Sequence, residues 1–337
     1  MKLEITGCVQ LTTLLYILLL LAVLSISHKG AAAQSVPSAT LRSAALVQQF
    51  DFVTPDSLAF AIADITGLAV PLTMAPRGAD GSYLADKLAG FQVLVAGRVA
   101  PIFSVEASAA TGGTLRIGIY VPVETPLGIN NVSLEIKRDD GVRGAPQLVA
   151  QGMLWIEKAS PNLFVVDGYI DTSLVSLNGT TWMKGRARAS EPEVPFDITG
   201  TANVYSASQE TRVVIFGTGL RNGADTDVTN NPPGYKNVAE SFEVIARFSR
   251  YIDNKPDNYA GEGQINLPIE YIGPVKGAGL PGIDQIVFRL SPELKQCVLM
   301  RPSGPHGEVD ISLRSIETNE SSEVNGSHAA RTGIFVK

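Results

Sequence analysis

Leu115-Arg116-Ile117-Gly118-Ile119-Tyr120-Val121 places Leu115, Ile117, Ile119 and Val121 on one face of an extended chain. After a short interval, Val132-Ser133-Leu134-Glu135-Ile136-Lys137 alternates apolar and polar residues without exception. A strand turns successive side chains to opposite faces, so each segment has one buried face and one wet face. The same period returns in Ile286, Phe288 and Leu290, and again in Val309, Ile311 and Leu313. One-sided strands belong to antiparallel sheets; the strands of parallel sheets are buried on both faces. No segment holds a 3.6-residue apolar period over three turns. The pattern predicts an all-β chain of antiparallel β-sandwiches.

Between the strands stand turn signals: Arg77-Gly78-Ala79-Asp80-Gly81, Asp139-Asp140-Gly141, Arg221-Asn222-Gly223, Asn231-Pro232-Pro233-Gly234 and Pro302-Ser303-Gly304-Pro305. Asp-Gly and Asn-Gly tolerate positive φ and favour tight reversals. The 32 glycines and 20 prolines are spread along the whole chain. That distribution suits short strands and disfavours long helices, where the two residues cost about 1 and 3 kcal/mol.

The 337 residues are enough for two domains, and a sequence 45% hydrophobic and 18% charged can pack a core. A loose internal repeat supports two modules. Thr54 to Ile62, Phe91 to Val95, and the strand pair 115–121 and 132–137 form the first copy. Ser208 to Phe216, Phe242 to Phe248, and the pair 284–290 and 309–314 form the second in the same order. The boundary is expected at Lys158-Ala159-Ser160-Pro161, giving modules at 34–157 and 158–337.

Residues 1–33 differ in kind. Leu11 to Ser27 is almost wholly apolar and is followed by Ala31-Ala32-Ala33. The apolar run is shorter than the roughly 20 residues that span a bilayer, and the alanines form an A-x-A-type cleavage site. A cleaved signal peptide is expected, with the mature chain starting near Gln34; the alternative is an uncleaved N-terminal anchor, since Glu4 offsets Lys2. The product is secreted or on the cell surface, without stable membrane insertion. Cleavage removes Cys8 and leaves Cys297 alone, so no intramolecular disulfide can form; Cys297 reads as a buried structural thiol. The net charge of −6 with no basic run gives no electrostatic reason to bind nucleic acid.

Val213-Val214-Ile215-Phe216-Gly217-Thr218-Gly219-Leu220 resembles the strand and turn of IPT/TIG immunoglobulin-like domains. Together with Ser160-Pro161-Asn162-Leu163-Phe164 and Gly279-Leu280-Pro281-Gly282-Ile283-Asp284-Gln285, it resembles the Solibacter-type uncharacterised C-terminal domain of secreted acidobacterial proteins. Residues 41–157, with Ala100-Pro101-Ile102-Phe103, resemble the segment that precedes those motifs. Where that family carries Gln-x-Asn, this chain has Gln285-Ile286-Val287, and residues 249–266 read as an insertion. The resemblance implies two tandem immunoglobulin-like (IPT/TIG-like) antiparallel sandwiches after a signal peptide, and no reaction.

Chemistry-bearing patterns are sparse. His306 and His328 fall in Gly/Ser/Pro-rich sequence read as loops, with no G-x-S-x-G elbow and no H-E-x-x-H. Gly217-x-Gly219-x-x-x-Gly223 is one residue too long for a dinucleotide fingerprint; Gly217, Gly219 and Leu220 read instead as a structural turn out of a buried strand. Asn222, Asp225, Asp227 and Asn230 crowd one loop with oxygen ligands that suit a hard cation such as Ca²⁺, but without the EF-hand glycine and terminal glutamate. The expectation is a solvated polar loop and no cofactor. Trp155 reads as core and Trp182 as the tryptophan to weigh for stacking on a ligand. The functional expectation is a non-catalytic structural or adhesive module binding an extracellular protein or glycan. The alternative is an extracellular hydrolase of unrecognised type acting on a polymer.

Overall fold

The computed structural model describes residues 36–44, 52–108, 113–139, 141, 144–166, 169–170, 172–175, 182–183, 198, 211–221, 238–251, 259–275, 280–301, 304–317 and 333–336. The expected signal peptide, the Asn222, Asp225, Asp227 and Asn230 loop, and His328 lie outside them. Among the described residues no helix is long and apolar enough to cross a membrane. The chain divides into two compact units between Lys158 and Ala159. Arg221 and the described part of 275–283 group with the first unit, so the later chain contributes to both.

The first unit contains β1 (Ala39–Ser43), β2 (Phe52–Val53), β3 (Ser57–Asp64), β4 (Val70–Met74), β5 (Phe91–Val95), β6 (Arg98–Ala100), β7 (Ile102–Ser108), β8 (Thr114–Val121), β9 (Gly128–Arg138) and β10 (Gln147–Ile156). They form two sheets, β1-β3-β8-β7-β4 and β2-β10-β9-β5-β6. The strand pairs are antiparallel apart from β2 beside β10. Leu115, Ile117, Ile119 and Val121 are buried, as the alternation requires. Ala63, Ala61 and Ala59 of β3 stand opposite the first three, small side chains leaving room for large ones. The second sheet contributes Phe91, Val93, Val132, Leu134, Ile136, Leu154 and Ile156 to the same core. Each fully buried aliphatic side chain there stabilises the fold by about 1.5–3 kcal/mol.

The second unit contains β11 (Asn162–Leu163), β12 (Val165–Val166), β13 (Tyr169–Ile170), β14 (Thr172–Val175), β15 (Trp182–Met183), β16 (Arg212–Thr218), β17 (Phe242–Tyr251), β18 (Tyr259–Leu267), β19 (Ile269–Pro274), β20 (Asp284–Arg289), β21 (Leu299–Arg301), β22 (Gly304–Ser315) and β23 (Gly333–Val336). One sheet runs β15-β14-β16-β20-β19, with β11 also on β16. Another runs β18-β17-β22, with β21 and β23 both on β22, and β12 pairs with β13 alone. Val213 faces Phe288 and Ile215 faces Ile286 across the first; Val244 faces Leu313 and Ala246 faces Ile311 across the second. All eight are buried.

The two units repeat one topology. The run β1-β3-β8-β7 matches β14-β16-β20-β19, and β10-β9-β5-β6 matches β23-β22-β17-β18. In both, taking the eight matched strands in chain order, the second pairs with the sixth in one sheet and the third with the seventh in the other. This is the A-B-E-D against G-F-C order of immunoglobulin-like sandwiches. The described part of residues 249–266 is the end of β17 and most of β18, paired over nearly their full lengths.

Two further expectations change in detail. Phe216, at the end of the strand read as buried, is half-buried; its neighbour Ile215 carries the inward position on β16. His306 lies on β22, paired with Leu299, rather than in a loop.

Candidate functional site

The turn after β16 is built from two glycines with different tasks. Gly219 takes φ +77°, the left-handed region that L side chains avoid, and its carbonyl accepts from the Ser160 N–H. Gly217 is still in the strand and does not turn the chain. A Cβ there would stand 2.6 Å from the Asn162 carbonyl oxygen, so its role is close approach between β16 and β11. Leu220 is buried beyond the turn. All three are structural.

Arg221 follows, and it belongs to the first unit. Its Nη1 lies 2.8 Å from Oδ2 of Asp56, and the Tyr120 hydroxyl donates to Oδ1 of the same carboxylate at 2.8 Å. Asp56 and Arg221 are both buried. Asp56 holds φ +59° and donates its N–H to the Val121 carbonyl, closing the entry to β3 against the end of β8. Burial pushes the Asp56 carboxyl above its usual range, against the Arg221 cation and the Tyr120 hydrogen bond, which pull it down. On the outer face of the same sheet Arg116 stacks over Phe60, 4.0 Å from the ring centroid, and approaches Glu106 at 3.8 Å. Burial raises the Glu106 carboxyl, with Arg116 pulling it down. These groups tie strands together.

Cys297 is buried, as expected, and its thiol donates to the Leu294 carbonyl. Burial pushes it up to about 12, which leaves an inert thiol at neutral pH. Among the described residues no group of His, Cys, Asp and Glu gathers as metal ligands would. A shallow groove of about 220 Å³ in the second unit is lined by Glu240, Phe242, Glu243, Asn266, Leu267 and Ile269, among others. Glu243 is engaged there by Arg314 and by the Asn266 amide. The groove lining holds two carboxylates and no histidine.

The feature that reaches solvent lies on the first unit. Trp155, expected in the core, is 37% exposed, and Met153 is 56% exposed, while Leu154 and Ile156 between and beyond them are buried. The reason is geometric: β10 has one core face, and Met153-Leu154-Trp155-Ile156 is apolar on both. Across the ladder Met153 pairs with Ser133, Leu154 with Val132, and Ile156 with Gly128. Ile129, Asn130 and Asn131 thus stand opposite Trp155 alone, a bulge in which Asn130 takes φ +51°. The bulge turns Ile129 outward to 63% exposure, and Leu127, just before β9, is 51% exposed. Leu127, Ile129, Met153 and Trp155 make one apolar strip with Ser133, Asn130 and Asn131 at its side. The other exposed large apolar residues among those described are Leu72, Val99, Leu148 and Ile316. Contiguous exposed apolar surface marks interaction sites, and Trp and Met are enriched at protein interfaces. The doubly apolar run of β10 was the available sequence signal, because a one-sided sheet has no structural use for the second face. The Trp182 side chain lies outside the described residues, although its backbone pairs with Val175.

No protein family and no curated protein matches the chain. Among solved structures, the adhesin InvE of Yersinia pseudotuberculosis shares 9% identity over 91% of this chain and 62% of its own, with a TM-score of 0.17. The N-terminal four immunoglobulin domains of Dscam1 share 11% over 92% and 75%, at 0.17. The BSP domain of a biofilm associated protein shares 8% over 93% and 61%, also at 0.17. The chain spans less than two thirds of the length of the first and third. Superpositions at that level carry no weight, and the immunoglobulin-like assignment rests on the repeated strand order.

Proposed function

We propose that the chain is an exported, non-catalytic adhesive module that binds a protein partner through the strip formed by Leu127, Ile129, Met153 and Trp155. The observation that carries this reading is the solvent exposure of those four residues around the β9–β10 pairing. Leu127, Ile129 and Met153 beside the aromatic Trp155 favour a protein surface. The cleaved leader ending near Gln34, the surface location and the IPT/TIG-like kinship of the Gly217–Leu220 turn are parts of the same proposal. The exposed strip lends no support to the alternative of a polymer hydrolase.

The test is adhesion of protein-coated beads to the cells that produce the chain. Beads carrying the wild type and Leu72→Glu should adhere equally. Met153→Glu beads should lose adhesion while the protein keeps its melting temperature. Equal adhesion by all three would remove the strip from the function.

A further inference from the structure

We infer that Met153 is an oxidation-sensitive switch: a hydroperoxide converts its thioether to the sulfoxide and turns binding at the strip off, and reduction turns it on again. The inference rests on the strip being a binding surface and adds how that surface is regulated.

Position is the first reason. Met153 is 56% exposed, whereas its neighbour Leu154 is buried in the core of the first unit. Side chains alternate between the two faces of β10, so Met153 stands on the solvent side and takes no part in the packing between the sheets. Ser133 is its cross-strand neighbour, and Trp155 follows on the same face. An oxygen atom added to Met153 changes the surface of the strip and leaves the core as it was.

Reactivity is the second. A thioether is oxidised without first losing a proton, whereas a thiol reacts as its thiolate. Cys297 is buried and pushed up to about 12, so at neutral pH it is neither reached nor ionised. Met74 on β4 is half-buried. Among the described side chains, Met153 is therefore the sulfur that meets a peroxide first. Its lone pair attacks one peroxide oxygen and the O–O bond breaks. The departing hydroxide takes the proton of the transferred hydroxyl and leaves as water. Sulfur loses two electrons, the peroxide gains them, and a polar S=O acceptor replaces an apolar chain end. Leu127 and Ile129 in the same strip carry no side-chain donor. An acceptor buried there by a docked partner loses its water without replacement, which weakens binding.

Beads carrying the protein, treated with dilute hydrogen peroxide, test this, with mass-spectrometric peptide mapping beside the adhesion measurement. Met153 should become the sulfoxide ahead of Met74, with Cys297 unoxidised and the melting temperature unchanged. Adhesion should fall roughly tenfold or more as Met153 oxidises. Methionine sulfoxide reductases acting on both epimers should restore it. Met74→Leu beads should adhere as the wild type does and lose adhesion to peroxide in the same way. Met153→Leu beads, whatever their starting adhesion, should show no fall with peroxide. Full oxidation of Met153 with adhesion intact, oxidation of Met74 before Met153, or a loss that the reductases do not reverse would each overturn the switch. Met153→Glu separates the two readings. If that variant loses adhesion and the sulfoxide does not, the strip binds and the switch alone fails. If untreated Met153→Glu beads adhere as the wild type does, the strip is not the binding surface and both fail.

Discussion

Asp56 and Arg221 form a buried ion pair at 2.8 Å that joins the start of β3 to a residue far along the chain. Removing one partner leaves the other charge buried and uncompensated, which typically costs about 3–5 kcal/mol. Arg221→Ala is expected to lose that amount in urea unfolding. Arg221→Met with Asp56→Asn should lose clearly less than the single substitution, because neither partner is then left as a lone buried charge. Equal losses would show that packing at this point matters and the pair does not.

The acid side of the stability profile follows from the two raised carboxyls. Burial holds Asp56 and Glu106 above the usual carboxylate range, so each binds its proton more tightly folded than unfolded. Such a group contributes stability that is fully present below its unfolded pKa and is lost as pH rises through the folded value. Thermal melts of the wild type and of Asp56→Asn with Glu106→Gln, taken between about pH 4 and pH 6, should therefore differ in slope. The wild type should lose more stability than the variant as pH rises; the opposite order would contradict the burial of these groups.

The two glycines at the end of β16 should respond differently to alanine. Gly219→Ala forces an L side chain into the left-handed region, at a cost of about 1–2 kcal/mol. Gly217→Ala has no such strain, but its methyl meets the Asn162 carbonyl, so β11 must move off β16. Hydrogen exchange should register this as faster exchange of the Phe164 amide, which donates to the Phe216 carbonyl. Gly219→Ala should leave that amide much less changed.

Burial along the same strand separates neighbours. Ile215 is fully buried and Phe216 is half-buried, so Ile215→Ala should cost about 2–5 kcal/mol and Phe216→Ala less despite its larger side chain. Cys297 should resist thiol reagents in the native state and label only on unfolding.

Much of the architecture could be read before any coordinates. The segments Thr54–Ile62, Phe91–Val95, 115–121 and 132–137 fall on β3, β5, β8 and β9. Their proposed counterparts fall on β16, β17, β20 and β22, which hold equivalent places in the second unit. Alternation specifies a strand and its buried face locally, which is why these survived. What escaped depends on distance along the chain or on surroundings. Nothing local in Pro55-Asp56-Ser57 points to Arg221, and β18 hid in a stretch whose Gly, Asn and Asp content resembles a loop. Trp155 was assigned to the core because apolar composition does not say which face of β10 meets the second sheet.

The most direct measurement of the central claim is hydroxyl-radical footprinting of the protein free at low concentration and bound on cells. Met153, Trp155 and Ile129 should be oxidised in the free protein and protected when bound, with Leu72 reactive in both states. Equal oxidation of the strip in both states, or protection of Met153 and Trp155 already in the free monomer, would contradict a binding role for this face.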